Sequence, residues 1–430
     1  MSKNPTEGEK GLKEKTKLIV RRALEYALAA VRWIPVAMLI GLICGAVGAG
    51  FHHAIRLASG FRASHDWVIF LLPVGAVVIA LLYRVLRLGS DVGTDLVLEA
   101  VRSEKQIPPL LAPAMLFSTV LTQFVGGSAG REGAALQIGG SLAGGIARLL
   151  RVKEENQHLL ILCGMAAVFA ALFGTPVGAA VFVLEVASVG RFLYSALVPC
   201  LCASVTAAEL SKALHGEVMR MALPSIDVGT LLTLQTAALA ILCAILSIVF
   251  CIVVHQTGHF AAHTLKNQYL RALILGAALL GLTLLSGTRT YNGAGMDFVE
   301  RAVAGEGVDW YAFLLKLLFT AVTLAAGYKG GEIVPTFFVG AAFGAVVGPL
   351  LGLNASLAAA IGMVGLFCGV VNCPFAALFL AIEIFGGAYL VPFAVTCALC
   401  YVFSGYFGLY SSQHILRSKV GTELIDRTAE

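Results

Sequence analysis

Gly126-Gly127-Ser128-Ala129-Gly130-Arg131-Glu132-Gly133 opens one long apolar segment, and Gly327-Tyr328-Lys329-Gly330-Gly331-Glu332-Ile333-Val334-Pro335 opens another. Each loop places a lone glutamate among glycines, with apolar sequence following over Gly133–Leu150 and Ile333–Leu353. A carboxylate in hydrocarbon costs roughly 2.5 kcal/mol or more, so it usually marks an ion or proton pathway. The surroundings are hydrocarbon-like throughout. Of the 430 residues, 58% are hydrophobic and 13% charged, and mean hydropathy is +0.87. Soluble domains carry about 25% charged residues, so the composition specifies an integral membrane protein. Apolar runs from Trp33 almost to Tyr410 leave room for ten or more helices of ~20 residues and lack the short alternation of a β-barrel. The expected fold class is therefore all-α and polytopic.

The chain is doubled. Gly93-Thr94-Asp95-Leu96-Val97 matches Gly295-Met296-Asp297-Phe298-Val299 at an offset of 202. Gly126, Gly130 and Gly139 match Gly327, Gly331 and Gly340 at 201, and Pro176 and Glu185 match Pro374 and Glu383 at 198. A period of that size is a duplicated half, the arrangement of transporters whose broken helices meet at mid-membrane. The division expected is a basic N-terminal segment over 1–32, a first transmembrane repeat over 33–215, a second over 216–412 and a short tail over 413–430. Lysines and arginines flank the first span, which predicts a cytoplasmic N-terminus. The tail, with Arg417, Lys419 and Arg427, is expected on the same side. These flanks account for the net charge of +5 without a nucleic-acid partner. The ten cysteines are scattered through apolar sequence and read as packing residues. Glycines at spacing four (Gly140 and Gly144; Gly340, Gly344 and Gly348) read as close helix contacts.

At these residues the sequence resembles the CLC family of anion channels and anion/proton antiporters, over roughly Trp33 to Ser412. Gly130-Arg131-Glu132-Gly133 matches the family's GREG motif, whose glutamate is an external gate and proton carrier. Gly331-Glu332-Ile333-Val334-Pro335 stands at the GxFxP position, and Gly93-Thr94-Asp95 where chloride-type members carry GSGIP. Tyr410 falls where the pore tyrosine would lie, in the final helix. Val186 replaces the second internal glutamate of chloride/proton members, the GSGIP serine is absent, and Glu332 is an added acid. That combination resembles the fluoride-exporting branch, although Val334 stands where that branch often has threonine. The resemblance implies two related repeats, most naturally inverted, in a homodimer in the cell membrane with both termini cytoplasmic. It implies fluoride/proton antiport exporting fluoride, with a chloride-selective antiporter or passive chloride channel as the alternative. The transported ions and the lipid bilayer are then the partners, with no cofactor, no metal and no enzymatic reaction.

The residues themselves suit that chemistry. An anion pore must replace lost hydration without binding too tightly, and backbone N–H groups at helix starts do this without a fixed full charge. The expected anion-binding residues are Thr94, Gly130, Arg131, Gly133, Ile333, Val334 and Tyr410, with Arg131 positioning its loop by hydrogen bonds. Glu132 competes with the anion for the same donors and leaves when protonated. Glu332 is expected as a second proton-coupling carboxylate, against a reading as a buried ion pair with Lys329 or Arg131. Met296 and Phe298 are possible pore-lining residues. Glu185 and Glu383 read as structural carboxylates, and Asp95 and Asp297 as helix-start caps. Three patterns distract. Gly126-Gly127-Ser128-Ala129-Gly130 fits a hydrolase elbow but lacks its strand-to-helix context. His255, His259 and His263 share a helix face and read as an interfacial stripe rather than metal ligands, as does His52-His53. A receptor-like structural protein is the remaining rival class.

Overall fold

A computed structural model of the chain describes residues 7–89, 93–103, 105–216 and 218–429. The first half folds as α1 (Glu7–Ser64), α2 (Leu72–Val85), α3 (Thr94–Arg102), α4 (Leu111–Val125), α5 (Glu132–Leu149), α6 (Glu154–Phe173), α7 (Pro176–Val186) and α8 (Leu197–Ala213). The second half gives α9 (Thr230–Thr264), α10 (Gln268–Ser286), α11 (Met296–Val303), α12 (Ala312–Ala325), α13 (Ile333–Leu350), α14 (Ala355–Val371), α15 (Pro374–Phe385) and α16 (Leu390–Phe403). Helices α2 to α8 begin 193 to 202 residues before α10 to α16. The doubling seen in a few motifs therefore holds helix by helix.

Two contacts fix how the halves are related. Gly130 and its repeat mate Gly331 form an antiparallel bridge, exchanging N–H···O bonds of 2.5 and 2.9 Å. Glu185, at the end of α7, accepts from Phe375 N (3.3 Å) and Ala376 N (2.9 Å) at the start of α15. Glu383, at the end of α15, accepts from Val177 N (2.9 Å) and Gly178 N (2.7 Å) at the start of α7. Each carboxylate satisfies amides that the other half's helix leaves without an intrahelical partner, and it meets the positive end of that helix dipole. Residues that are sequence equivalents thus face each other with reversed direction. The two-fold axis relating them runs across these helices, and the repeats are inverted.

Among the described residues, seven helices are long and apolar enough to cross a membrane, and six further apolar helices are shorter. The expectation of ten or more full spans misjudged the second group, because continuous apolar sequence is cut into half-helices by glycine and proline at residues 126–130, 174–176, 327–331 and 372–374. Such breaks are tolerated where they are buried in protein. The core is made by α6 and α14, both buried along most of their length. Gly139 and Gly340 lie so close to the carbonyls of Gly164 and Gly362 that a Cβ would collide with them. Of the ten cysteines, all free, only Cys202 is not fully buried.

The C-terminal tail adds a small sheet to the helical fold. Strand β1 (Ser188–Val189) pairs in parallel with β2 (His414–Arg417), which pairs antiparallel with β3 (Leu424–Thr428). The hairpin seats Lys419 between Asn372 Oδ1 (2.5 Å) and Ser404 Oγ (3.0 Å), over the Tyr401 ring at 4.6 Å. Gln413 ties the same corner together by donating to Val186 O and Val371 O. A polar tail without periodicity carries little strand signal, and β1 is two residues long.

Candidate functional site

The bridged loops bring the N-termini of α5 and α13 together, and Glu132 sits between them at 0% exposure. Its Oε2 accepts from Arg131 N at 2.8 Å, and the amides of Glu132 and Val334 face the same carboxylate. Oε1 has no hydrogen-bond partner. The carboxylate folds back over Gly130, where any Cβ would overlap it. A glycine at 130 is thus required by the pose of the acid two residues on. Gly331 is needed for the same closeness, since its Cβ would stand 2.8 Å from Glu132 N.

Glu332 and Thr94 both approach Gly133. A Cβ on Gly133 would stand 3.3 Å from Thr94 Oγ1 and 3.4 Å from Glu332 Oε2, and that oxygen makes no hydrogen bond. Thr94 is buried and accepts from Gln137 Nε2 at 3.2 Å, which leaves its own proton to donate. The Tyr410 hydroxyl is buried without a hydrogen-bond partner and lies within electrostatic reach of Glu332, Asp95 and Glu132. Ile333 and Val334 are buried at the start of α13. Two helix N-termini, two hydroxyls and two carboxylates therefore converge in one buried place.

Several expectations change in detail. Tyr410 lies past the end of α16, in a loop rather than in the final helix. That loop is anchored by Asp95, which accepts from Ser411 Oγ (3.1 Å) and Ser412 N (2.9 Å). Asp95 and Asp297 sit in the first turns of α3 and α11, but the caps are Gly93 and Gly295, without side-chain hydrogen bonds. Asp95 serves the Tyr410 segment instead. Arg131 turns its guanidinium to His52 Nδ1 (2.7 Å) and Leu172 O (3.2 Å), with Nε 3.9 Å from Glu132 Oε1. His52 is 1% exposed and packs behind the Glu132 loop on Arg131, not at an interface. His255 bonds Leu409 O at 3.1 Å, while His259 and His263 are exposed. Among the described residues no group of three His, Cys, Asp or Glu is arranged to hold a metal ion. Ser128 shares its hydroxyl with Thr320 (3.1 Å) and its amide with Thr323 (3.0 Å), a stitch between the Gly126–Gly130 loop and α12 rather than a nucleophile beside a base.

A cavity of about 610 Å3 leads to Glu132. Met296 and Phe298 line it, as do Arg56, Arg62, Arg131, Arg220, Arg289 and Arg301. Six arginines and three carboxylates (Glu132, Asp297 and Glu300) line it, and Arg289 is paired with Asp66, so two more cations than acids remain to give the vestibule a positive field. Sequence reasoning missed Gln137 and Arg62 and placed His52 at an interface. Gln137 had a legible signal, a polar residue inside the apolar helix that Glu132 begins.

A family model described as "Voltage gated chloride channel" matches residues 74–405. A "Chloride/fluoride channel protein" of Pseudomonas syringae pv. tomato is 33% identical over 403 residues, covering 90% of this chain and 87% of the relative. An "H(+)/Cl(-) exchange transporter ClcA" of Vibrio parahaemolyticus is 26% identical, with 84% of each chain covered. Among solved structures, one titled "Crystal structure of a CLC-type fluoride/proton antiporter" superposes with a TM-score of 0.87 at 32% identity, covering 90% of this chain and 98% of the other. A slow cyanobacterial Cl-/H+ antiporter shares the fold at a TM-score of 0.75 and 21% identity. With the family model spanning most of the chain and the two glycine-rich loops bridged, this multi-pass membrane protein belongs to the voltage-gated chloride channel family, the CLC family.

Proposed function

We propose that the chain is a fluoride/proton antiporter that exports fluoride from the cytoplasm, working as a homodimer in the cell membrane with both termini cytoplasmic. Residues 33–215 and 216–412 are its two inverted repeats. The observation that carries the reading is the pair of unlike carboxylates, Glu132 folded onto helix-start amides and Glu332 beside Thr94. Ionised Glu132 occupies the donors at the starts of α5 and α13. Protonation removes its charge and its claim on them, so an anion takes the place and the neutral side chain moves toward the vestibule. One group thereby links anion occupancy to proton movement.

The proton's route inward runs through Glu332. At the end of α7 the alternative position is Val186, which is fully buried and apolar. A carboxylate beside the anion donors repels the anion unless it protonates, so Glu332 exchanges its proton in step with anion passage. Thr94, Tyr410 and the amides of Gly133, Ile333 and Val334 supply the donors around the ion.

The test is paired fluoride and proton flux in proteoliposomes. Fluoride efflux should drive stoichiometric proton uptake, and chloride efflux should be much slower. Glu132→Gln and Glu332→Gln should each abolish proton movement. Equal fluoride and chloride rates would replace the substrate, and efflux without protons would leave a passive channel.

A further inference from the structure

Helix α1 runs from Glu7 to Ser64, but the part apolar enough to cross a membrane is Trp33–Ser64. Residues 7–32 are a helical arm ahead of the first span, about 39 Å long at 1.5 Å per residue. Its composition is not that of a span. Between positions 10 and 22, six basic residues (Lys10, Lys13, Lys15, Lys17, Arg21 and Arg22) stand against one acid, Glu14. Their spacing is ordered. Leu12, Ile19 and Ala23 recur at intervals of seven and four, and Lys10, Lys17 and Arg21 repeat those intervals two positions earlier. Two positions on a helix are about 200°, so the arm carries an apolar stripe on one side and a basic stripe on the other. Residues 16–22 are all exposed. Ile19 and Val20 are 67% and 60% exposed, so among the described residues no other helix covers that part of the apolar stripe.

The junction with the span carries two further signals. Trp33 stands at its start, the depth that an indole ring prefers. Two residues on, Pro35 lies inside the helix. It offers no N–H to the carbonyl of Val31 and its ring crowds that carbonyl, so α1 bends most easily there. An arm carried straight on would hold its apolar stripe in water, away from the bilayer. Bent at Pro35, it lies along the surface that its own span enters.

We propose that residues 7–32 are a surface arm that binds the anionic lipid headgroups of the leaflet where the first span begins. Ile19 and Val20 enter the boundary between headgroups and acyl chains, and Lys17 and Arg22, to either side of them on the helix, meet the lipid phosphates. Two features commit the occupant to lipid. The arm is continuous with a membrane span, and it pairs basic charge with an apolar stripe. A soluble polyanion would meet the charge and leave the stripe bare, whereas an anionic bilayer takes both. The arm acts outside the ion path, so this holds whichever anion is transported.

The experiment puts a fluorophore on Ile19→Cys in the full-length protein. Cys202→Ser removes the native cysteine that is not fully buried. The protein is reconstituted in nanodiscs of phosphatidylcholine alone or mixed with phosphatidylglycerol, and the label is quenched by acrylamide, which is neutral and aqueous, or by brominated lipid. Phosphatidylglycerol should lower acrylamide quenching several-fold and raise bromolipid quenching, and high KCl should reverse part of the change. Lys17→Gln, Arg21→Gln and Arg22→Gln together should abolish the dependence on lipid charge. The charge-keeping set Lys17→Arg, Arg21→Lys and Arg22→Lys should retain it. Equal quenching in the two lipid compositions would overturn the proposal, whether the label is bare in both or covered in both by a second copy. So would a lipid response that survives the glutamine set, or one that both sets lose.

Discussion

Replacing Gly130 by alanine should open the gate while leaving the fold intact. In the closed pose Glu132 Oε2 lies where the new Cβ would be, while Gly331 O would be 3.1 Å away. The carbonyl contact is tight but can relax by a few tenths of an ångström, whereas the overlap with the carboxylate is relieved only if the side chain leaves. Leaving forfeits its bond from Arg131 N at 2.8 Å. Hydrogen bonds to charged groups are worth about 1.5–3 kcal/mol, so the closed pose should lose a factor of roughly ten to a hundred in population. A carboxylate that rarely occupies the amides cannot exchange its proton against an anion there. Fluoride efflux should therefore continue while protons moved per fluoride fall several-fold. Fluoride-electrode and pH recordings from the same vesicles measure both. Gly145→Ala on α5 is the control, because its Cβ would meet nothing within 4 Å, and it should be silent in both traces. If Gly130→Ala keeps the parent proton-to-fluoride ratio, the closed pose of Glu132 is not the coupling state and the gate argument collapses.

Three further outcomes follow from particular contacts. Glu383→Ala leaves Val177 N and Gly178 N without their acceptor; at about 1–3 kcal/mol per orphaned buried donor it should cost roughly 2–6 kcal/mol. A clearly lower melting temperature in detergent should accompany an unchanged coupling ratio, and an uncoupled Glu185→Ala would show that these acids do more than cap helices. Burial lowers the Lys419 ammonium from 10.5 to about 8, so between those values the folded chain binds fewer protons than the unfolded one. Stability should rise with pH across that window, with the full penalty below it. Melting curves of Lys419→Met should lack the rise, and a rise that persists would rule out Lys419 as its source. Ser128→Ala should keep fluoride/proton exchange at a stability cost of about 1 kcal/mol, and loss of transport would reopen the nucleophile reading.

The parts legible in sequence were those written in spacing. Glycine-flanked glutamates and matched offsets located the loops, the doubling and the buried acids, because broken helices must be punctuated locally. Contacts across the duplication were not legible. Glu185 and Glu383 were visible as mates, but nothing in either segment says that each caps the other's helix. His52 reaches Arg131 across 79 positions of sequence from a helix with no polar periodicity. The turn after Phe403 that takes Tyr410 out of α16 has only Gly405 and Gly408 to announce it.

On the proposed reading, the inverted duplication also explains why one gate suffices. The two-fold axis passes between Gly130 and Gly331, so acids at matching repeat positions would be equivalent by symmetry. Sequence breaks that equivalence by one position. Opposite Glu132 stands Ile333, buried and apolar, and opposite Glu332 stands Arg131. The first substitution leaves the α13 amides to be shared by one carboxylate. The second sets a cation, held by His52 and the Leu172 carbonyl, behind the gate. A shift of one residue at a helix start turns a side chain by about 100°. That places Glu132 toward the arginine-lined vestibule and Glu332 toward Thr94. On the proposed reading, these two inequivalent carboxylates hand a proton past an anion in sequence.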